Sequence, residues 1–302
     1  MVGRDLLKTN LGWTVGNGES IPAWSEPWLD LQTQRRPTGP ATELTQNITV
    51  ADLLLPEKRE WDMEKVHLIF PHEAETILRI KPSLSGAPDK LVWLGSPSGI
   101  AQGPLAPWIL WQIWISRNTL VFNKRIISAE ETLSKAIAAA REWQVNQKKE
   151  TQTRCHQPPP APTIPRGCYM LQTDAAWDER TKKAGLGWTL FSPERSYNSS
   201  EIADCTNSPL VAESLALRQA LRYCRNLEIK EIRCQSDSTQ LVKAIKEGNS
   251  NMEIYGTVAD ILFMVECFDF ISFEWLSREK NSIADSLAKN ILVGEVCVMA
   301  SA

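Results

Sequence analysis

Four carboxylates in the second half of the chain stand where side chains could do chemistry. Asp174 closes an apolar run, Leu171-Gln-Thr-Asp-Ala-Ala, and Asp237 closes another, Cys234-Gln-Ser-Asp-Ser. Glu213 lies early in a helical pattern, Val211-Ala-Glu-Ser-Leu-Ala, and Asp285 opens the last one, Asn281-Ser-Ile-Ala-Asp-Ser-Leu-Ala. Taken singly, an Asp at a strand end is ordinarily a turn residue, and an acid near a helix start is ordinarily a cap or a dipole partner. Glu213 resists that reading, because Ala212, Leu215 and Ala216 put it on a largely apolar face where an unpaired charge is costly. Four acids brought to one edge repel one another and raise each other's pKa values unless a cation is bound. Mg²⁺ prefers oxygen ligands and keeps several waters, so it suits such a site, and Mn²⁺ can stand in for it. Two ions about 4 Å apart could activate a water and stabilise a leaving oxygen in phosphodiester hydrolysis. The three histidines, His67, His72 and His156, all precede this region, which excludes a histidine-based metal site or triad there.

The elements that must carry these acids are legible from periodicity. Strands are expected at 169–174, 184–191, 202–205, 231–236 and 270–276, where apolar and β-branched residues run between turn signals. Ser208-Pro209 reads as a cap followed by proline at the first helical position, opening a helix through Ala212, Leu215, Ala216 and Tyr223. Further helices are expected at 238–247, ending on Gly248, at 252–268 and at 283–291. The order β-β-β-α-β-α-α-β-α predicts an α/β domain with a five-stranded mixed central sheet flanked by helices. Strand ends in such a sheet converge on one edge, which would gather the acids.

The clearest boundary is Gln157-Pro-Pro-Pro-Ala-Pro-Thr-Ile-Pro-Arg-Gly167, whose five prolines favour extended polyproline geometry. A helix over 128–147 precedes it, with Ser128 as cap and Leu133, Ile137, Ala140 and Trp143 at helical spacing. Residues 1–127 are rich in tryptophan and interrupted by Gly, Pro and Ser, and predict a poorly defined region. Within it, Gly16-Asn17-Gly18 suggests a hairpin between 11–15 and 21–24, and 108–115 suggests a buried helix. The expected division is therefore 1–127, a helix at 128–147, a linker at 148–167, the α/β domain at 168–293 and a tail at 294–302.

Composition is that of an ordinary globular protein, 43% hydrophobic and 23% charged. No apolar run reaches the roughly 18 residues that a bilayer span needs, and the N-terminus lacks the apolar stretch of a secretory signal. A soluble, intracellular monomer is expected, with no membrane partner and with nucleus and cytoplasm left open. The seven cysteines have no CxxC spacing and read as free thiols packed as small hydrophobes. The net charge is −3, and residues 168–302 hold 14 Lys and Arg against 19 Asp and Glu, a formal −5. A domain with that balance can handle a polyanion only through bound cations and a local basic strip.

At this point the residues carry a resemblance. Thr173-Asp-Ala-Ala, Ala212-Glu-Ser-Leu-Ala-Leu, Ser236-Asp-Ser and Arg278-Glu-Lys-Asn-Ser-Ile-Ala-Asp-Ser-Leu-Ala resemble, in order, the blocks of the plant reverse-transcriptase-like branch of the ribonuclease H family. The resemblance implies a ribonuclease H-like fold, with Asp174, Glu213 and Asp237 as core ligands of two Mg²⁺ ions and Asp285 as the fourth. It implies endonucleolytic cleavage of RNA in an RNA–DNA hybrid. Ala175, Ser208, Ser238 and Asn281, within or beside these blocks, are the expected substrate contacts. Upstream, Gly12-Trp-Thr-Val-Gly-Asn-Gly-Glu-Ser-Ile-Pro-Ala-Trp-Ser-Glu-Pro-Trp and Trp108-Ile-Leu-Trp-Gln-Ile-Trp-Ile-Ser-Arg-Asn-Thr-Leu-Val-Phe resemble segments flanking the corresponding region of plant non-LTR retroelements. Residues 1–154 have no cysteine, so the zinc-binding stretch usual between those segments is missing.

Two departures temper the activity the resemblance implies. Members often carry a histidine ten positions before the last Asp, associated with proton transfer and product release; here that position is Trp275, which cannot shuttle protons. The segment between Asp237 and Phe270 lacks the cluster of Lys and Trp that grips the hybrid in some relatives. Slower turnover is expected, rather than none. The competing readings are a catalytically inactive nucleic-acid-binding remnant and a protein-interaction fragment built on exposed tryptophans. A proofreading-type exonuclease is disfavoured, because the position two after Asp174 is Ala176 rather than an acid.

Overall fold

The computed structural model describes residues 11–30, 33–93, 106–153, 167–192, 195–247 and 252–299. Packing divides the chain into two units: residues 1–13, 26–36 and 91–162 form one, and residues 14–25, 37–90 and 163–302 the other. One division falls at 162/163, inside the expected linker 148–167, but residues 14–25 and 37–90 also group with the α/β domain. The proline-rich stretch falls mostly outside the described residues.

In the first unit, helices α3 (Ala106–Asn123) and α4 (Ala129–Thr153) form a hairpin around buried Ile109, Ala136 and Ala140. Ser128 caps α4, its Oγ accepting from the Glu131 N–H at 3.1 Å. The helix runs past the expected end at 147, because Lys148-Lys-Glu-Thr-Gln-Thr153 contains no breaker and several good helix formers. Helix α3 is not the fully buried helix expected at 108–115: Trp111 and Trp114 are about half exposed and lie against each other, ring centroids 5.1 Å apart.

Strand β1 (Leu11–Thr14) pairs with β2 (Lys90–Trp93), not with residues 21–24 as the Gly-Asn-Gly turn suggested. The reason lies in Asp89. Its carboxylate accepts from the N–H groups of Gly16, Gly18 and Ser20, each at 2.8 Å, so the loop wraps an acid that sequence cannot place there. Helices α1 (Met63–Ile69) and α2 (Ala74–Arg79) complete the N-terminal part of the second unit.

The rest of that unit is the expected α/β domain. Its strands are β3 (Tyr169–Asp178), β4 (Lys183–Phe191), β5 (Ser196–Ala203), β6 (Glu231–Ser236) and β7 (Phe270–Trp275), in the spatial order β5-β4-β3-β6-β7. The first three are antiparallel, and β6 and β7 run parallel to β3. This is the five-stranded mixed sheet that the order of elements predicted. Strand β5 begins earlier than the expected 202, because Ser196–Ala203 is a polar edge strand with little apolar signal.

Helix α5 (Pro209–Asn226) lies on one face, where its Val211, Leu215 and Leu221 join Leu171, Leu186, Leu190, Ile232 and buried Cys224 and Cys234 in the main core. Helices α6 (Thr239–Glu247) and α7 (Tyr255–Val265) pack beside α5, and a 3-10 turn at Met252–Ile254 stands where the second expected helix, 252–268, was to begin. Helix α8 (Ser282–Met299) crosses the other face. It comes close because β4 offers Gly185 and Gly187 there: a Cβ on Gly187 would collide with the backbone of Ala284 and Ala288, and one on Gly185 with Ala288. No described helix is long and apolar enough to cross a membrane.

Candidate metal centre

Asp174 lies on β3 beside the start of α8, where Asn281 reaches its carboxylate. It stands opposite Gly187 in the β3–β4 register, on the face that α8 covers, while Leu171, Ala175 and Trp177 belong to the core on the other face. Strand β6 is parallel to β3, with Thr173 opposite Ser236, so Asp237 emerges beside Asp174 at the same strand ends. Helix α5 starts at Ser208, whose Oγ accepts from the Val211 N–H at 3.3 Å, and this cap sets Glu213 in the second turn.

The outcome is a cluster. One carboxylate oxygen from each of Asp174, Glu213 and Asp237 lies within 4.8 Å of the others. Asp174 is only 3% exposed. Its Oδ1 accepts from the Ala175 N–H at 2.8 Å and its Oδ2 from Asn281 Nδ2 at 3.2 Å. Oε2 of Glu213 is buried without a hydrogen-bond partner. Among the described residues, no Lys or Arg forms an ion pair with any of the three. Burial first, then repulsion from Asp237 and Asp285, pushes Asp174 up to about 6, with the Ala175 N–H opposing. Glu213 is pushed well above the usual carboxylate range by burial first, then by Asp174 and Asp237. Clustered, desolvated acids without a cationic side chain are an electrostatic cost that a bound cation removes. The donor set consists of carboxylate oxygens alone, which fits hard divalent cations such as Mg²⁺ and Mn²⁺.

Asp285 stands apart from this trio. It is near enough to raise Asp174, but its Oδ2 accepts from Lys289 Nζ at 2.7 Å, one turn along α8. Lys289 is half exposed, so its flexible side chain can release the acid at small cost.

The four residues expected to touch substrate each make a hydrogen bond within the fold. Asn281 is fully buried and donates through Nδ2 to Thr173 O at 2.9 Å as well as to Asp174, so it orients the buried acid. Its place four residues before Asp285, at the start of a helix, was the available signal. Ser208 caps α5, and Ser238 accepts from the Leu241 N–H at 3.4 Å at the start of α6. The backbone N–H of Ala175 holds Asp174. Sequence reading missed one contact altogether: Trp275 Nε1 donates to the backbone oxygen of Asp237 at 3.1 Å. The parallel β6–β7 register, which sets Trp275 opposite Ser236, creates it.

Residues 172–291 match the family model described as "Reverse transcriptase-like". An Arabidopsis thaliana protein named "Putative ribonuclease H protein" is 30% identical over 104 residues, which are 32% of this chain and 16% of that protein. The chain thus matches only a small part of that relative's length. Among solved structures, the chain is similar to ribonuclease H1 of the archaeon Halobacterium salinarum, with TM-score 0.40 and 21% identity over 42% of this chain and 99% of that one. It is also similar to LC11-ribonuclease H1 in complex with an RNA/DNA hybrid, with TM-score 0.37 and 22% identity over 40% of this chain and 94% of that one.

Proposed function

We propose, from the match of residues 172–291 to the reverse transcriptase-like family model, that this domain is a metal-dependent nuclease cutting the RNA strand of RNA–DNA hybrids. The observation that carries the reading is the convergence of Asp174, Glu213 and Asp237 without a basic neutraliser, one Glu213 oxygen being buried and unpartnered. In this reading Asp174, Glu213 and Asp237 hold two divalent ions, Mg²⁺ by preference, and Asp285 joins them once it leaves Lys289. When bound, the ions supply Lewis acidity for activating a water and stabilising the leaving oxygen of an RNA phosphodiester.

The chain's own groups do the rest. Asn281 and the Ala175 N–H fix the Asp174 carboxylate, so the ligand cage is set before metal or substrate arrives. Burial in a dry strand-end corner strengthens each carboxylate–cation interaction relative to water. The Trp275 indole N–H does not ionise near neutral pH, so proton transfer at the leaving group falls to solvent, and turnover is slow.

The test is Mg²⁺- or Mn²⁺-dependent cleavage of a labelled RNA–DNA hybrid by the full chain, with Asp174→Asn as control. Cleavage is expected from the parent and a loss of at least about a hundredfold from the variant. Absence of cleavage at every metal concentration, with hybrid binding retained, would establish the second reading, an inactive nucleic-acid-binding remnant of a retroelement. Trp275 and the formal −5 of residues 168–302 favour that alternative.

A further inference from the structure

Trp275 ends β7 with its side chain 55% exposed, although tryptophan is among the residues that gain most from burial. Its indole N–H is committed to the backbone oxygen of Asp237 at 3.1 Å, and Asp237 supplies one of the three clustered carboxylates. That bond fixes which edge of the ring faces the protein. It leaves much of the indole exposed beside the backbone of Asp237. A large aromatic surface is thus tethered in the open to the backbone of a residue whose carboxylate belongs to the cluster. No packing role explains that exposure.

Charge says what such a surface is for. Residues 168–302 carry a formal −5, and the cluster itself is acidic, so phosphate neutralisation can supply little of the affinity for a nucleic acid. Base stacking on an aromatic ring does not depend on charge, and it tolerates any sequence because every base has a π-face. We propose that Trp275 is a substrate-binding residue of this site, its exposed indole face stacking on a nucleobase beside the phosphate held at Asp174, Glu213 and Asp237. The proposal rests on the nuclease reading and adds a binding contact to it. In this role the ring replaces by stacking part of the grip that a basic patch would otherwise give, and the Asp237 tether keeps it preorganised.

The test measures hybrid affinity of the full-length Asp174→Asn protein, which binds without cutting, across a series of salt concentrations. Adding Trp275→Ala is expected to weaken binding about tenfold or more at every salt concentration while leaving the slope of log affinity against log salt unchanged. Adding Trp275→Phe, which keeps a ring but loses the N–H, is expected to stay within about threefold of the parent. Unchanged affinity in the Ala variant overturns the proposal, and so does a loss accompanied by a shallower slope. Equal losses in the Phe and Ala variants also overturn it, since the tether to Asp237 rather than the ring would then matter. A parent that fails to bind the hybrid at any salt concentration removes the nuclease reading itself; a binding parent indifferent to Trp275→Ala removes this inference alone.

Discussion

Asp174 shows how the site trades stability for a cation. Its carboxyl is raised to about 6, chiefly by burial, so the folded protein holds that proton more tightly than the unfolded chain does. Linkage fixes the sign: metal-free stability is greatest below the ordinary value of 3.8 and falls as pH rises toward about 6. Chelator-treated protein should therefore melt at lower temperature at pH 7 than at pH 4.5, with Mg²⁺ restoring the loss. In Asp174→Asn this pH dependence should shrink and the metal-free melting temperature at pH 7 should rise. A variant no more stable than the parent at pH 7 would contradict the electrostatic account. At Trp275, replacement by histidine places a titratable group beside Asp237. Trp275→His should raise kcat in steady-state hybrid cleavage and raise KM as the stacking surface is lost. An unchanged or lower kcat would show that proton transfer at this position does not limit the rate.

Elements bring these residues together through two devices, register and close approach. The parallel pairing of β3, β6 and β7 puts Asp174, Asp237 and Trp275 at one end of the sheet. Gly185 and Gly187 let α8 settle on β4, which brings Asp285 near Asp174 and Asn281 into contact with it. Gly187→Ala forces a methyl into the backbone of α8. It should cost about 1–3 kcal/mol in denaturant unfolding, and it should weaken metal binding measured by calorimetry. Retained metal affinity in a destabilised Gly187→Ala protein would mean that the trio alone forms the site.

At the scale of the molecule, the unit bearing the site is larger than the family match. Residues 37–90 pack with residues 163–302, and Asp260 on α7 is their hub. Its carboxylate, 3% exposed as a residue, accepts from Ser83 Oγ at 2.7 Å, Leu84 N at 3.0 Å and Ser85 N at 2.9 Å, and pairs with buried Arg218 at 3.0 Å. Gly256 admits the same strap, since a Cβ there would meet the backbone of residues 81–83. Deleting residues 1–165 strips the carboxylate of its strap donors and exposes the covered face. The truncated domain should unfold at markedly lower denaturant concentration than the full chain, and Asp260→Ala in the full chain should cost about 3–5 kcal/mol by orphaning Arg218. A truncation as stable as the parent would show that the strap is dispensable.

The sequence by itself determined the α/β class, the order of the elements in that domain and the acids that stand at their ends. Period-two and period-3.6 patterns, the Ser208-Pro209 cap and the acids at element ends are local properties, encoded within a few residues of where they act. Tertiary structure alone decided what those residues meet: that Asn281 steadies Asp174, that Trp275 leans on Asp237, and that Asp89 and Asp260 organise loops far along the chain. The Trp275 contact depends on strand register and the Asn281 contact on how closely a helix approaches the sheet. Both are set by packing between segments separated by tens of residues, and no local pattern records them.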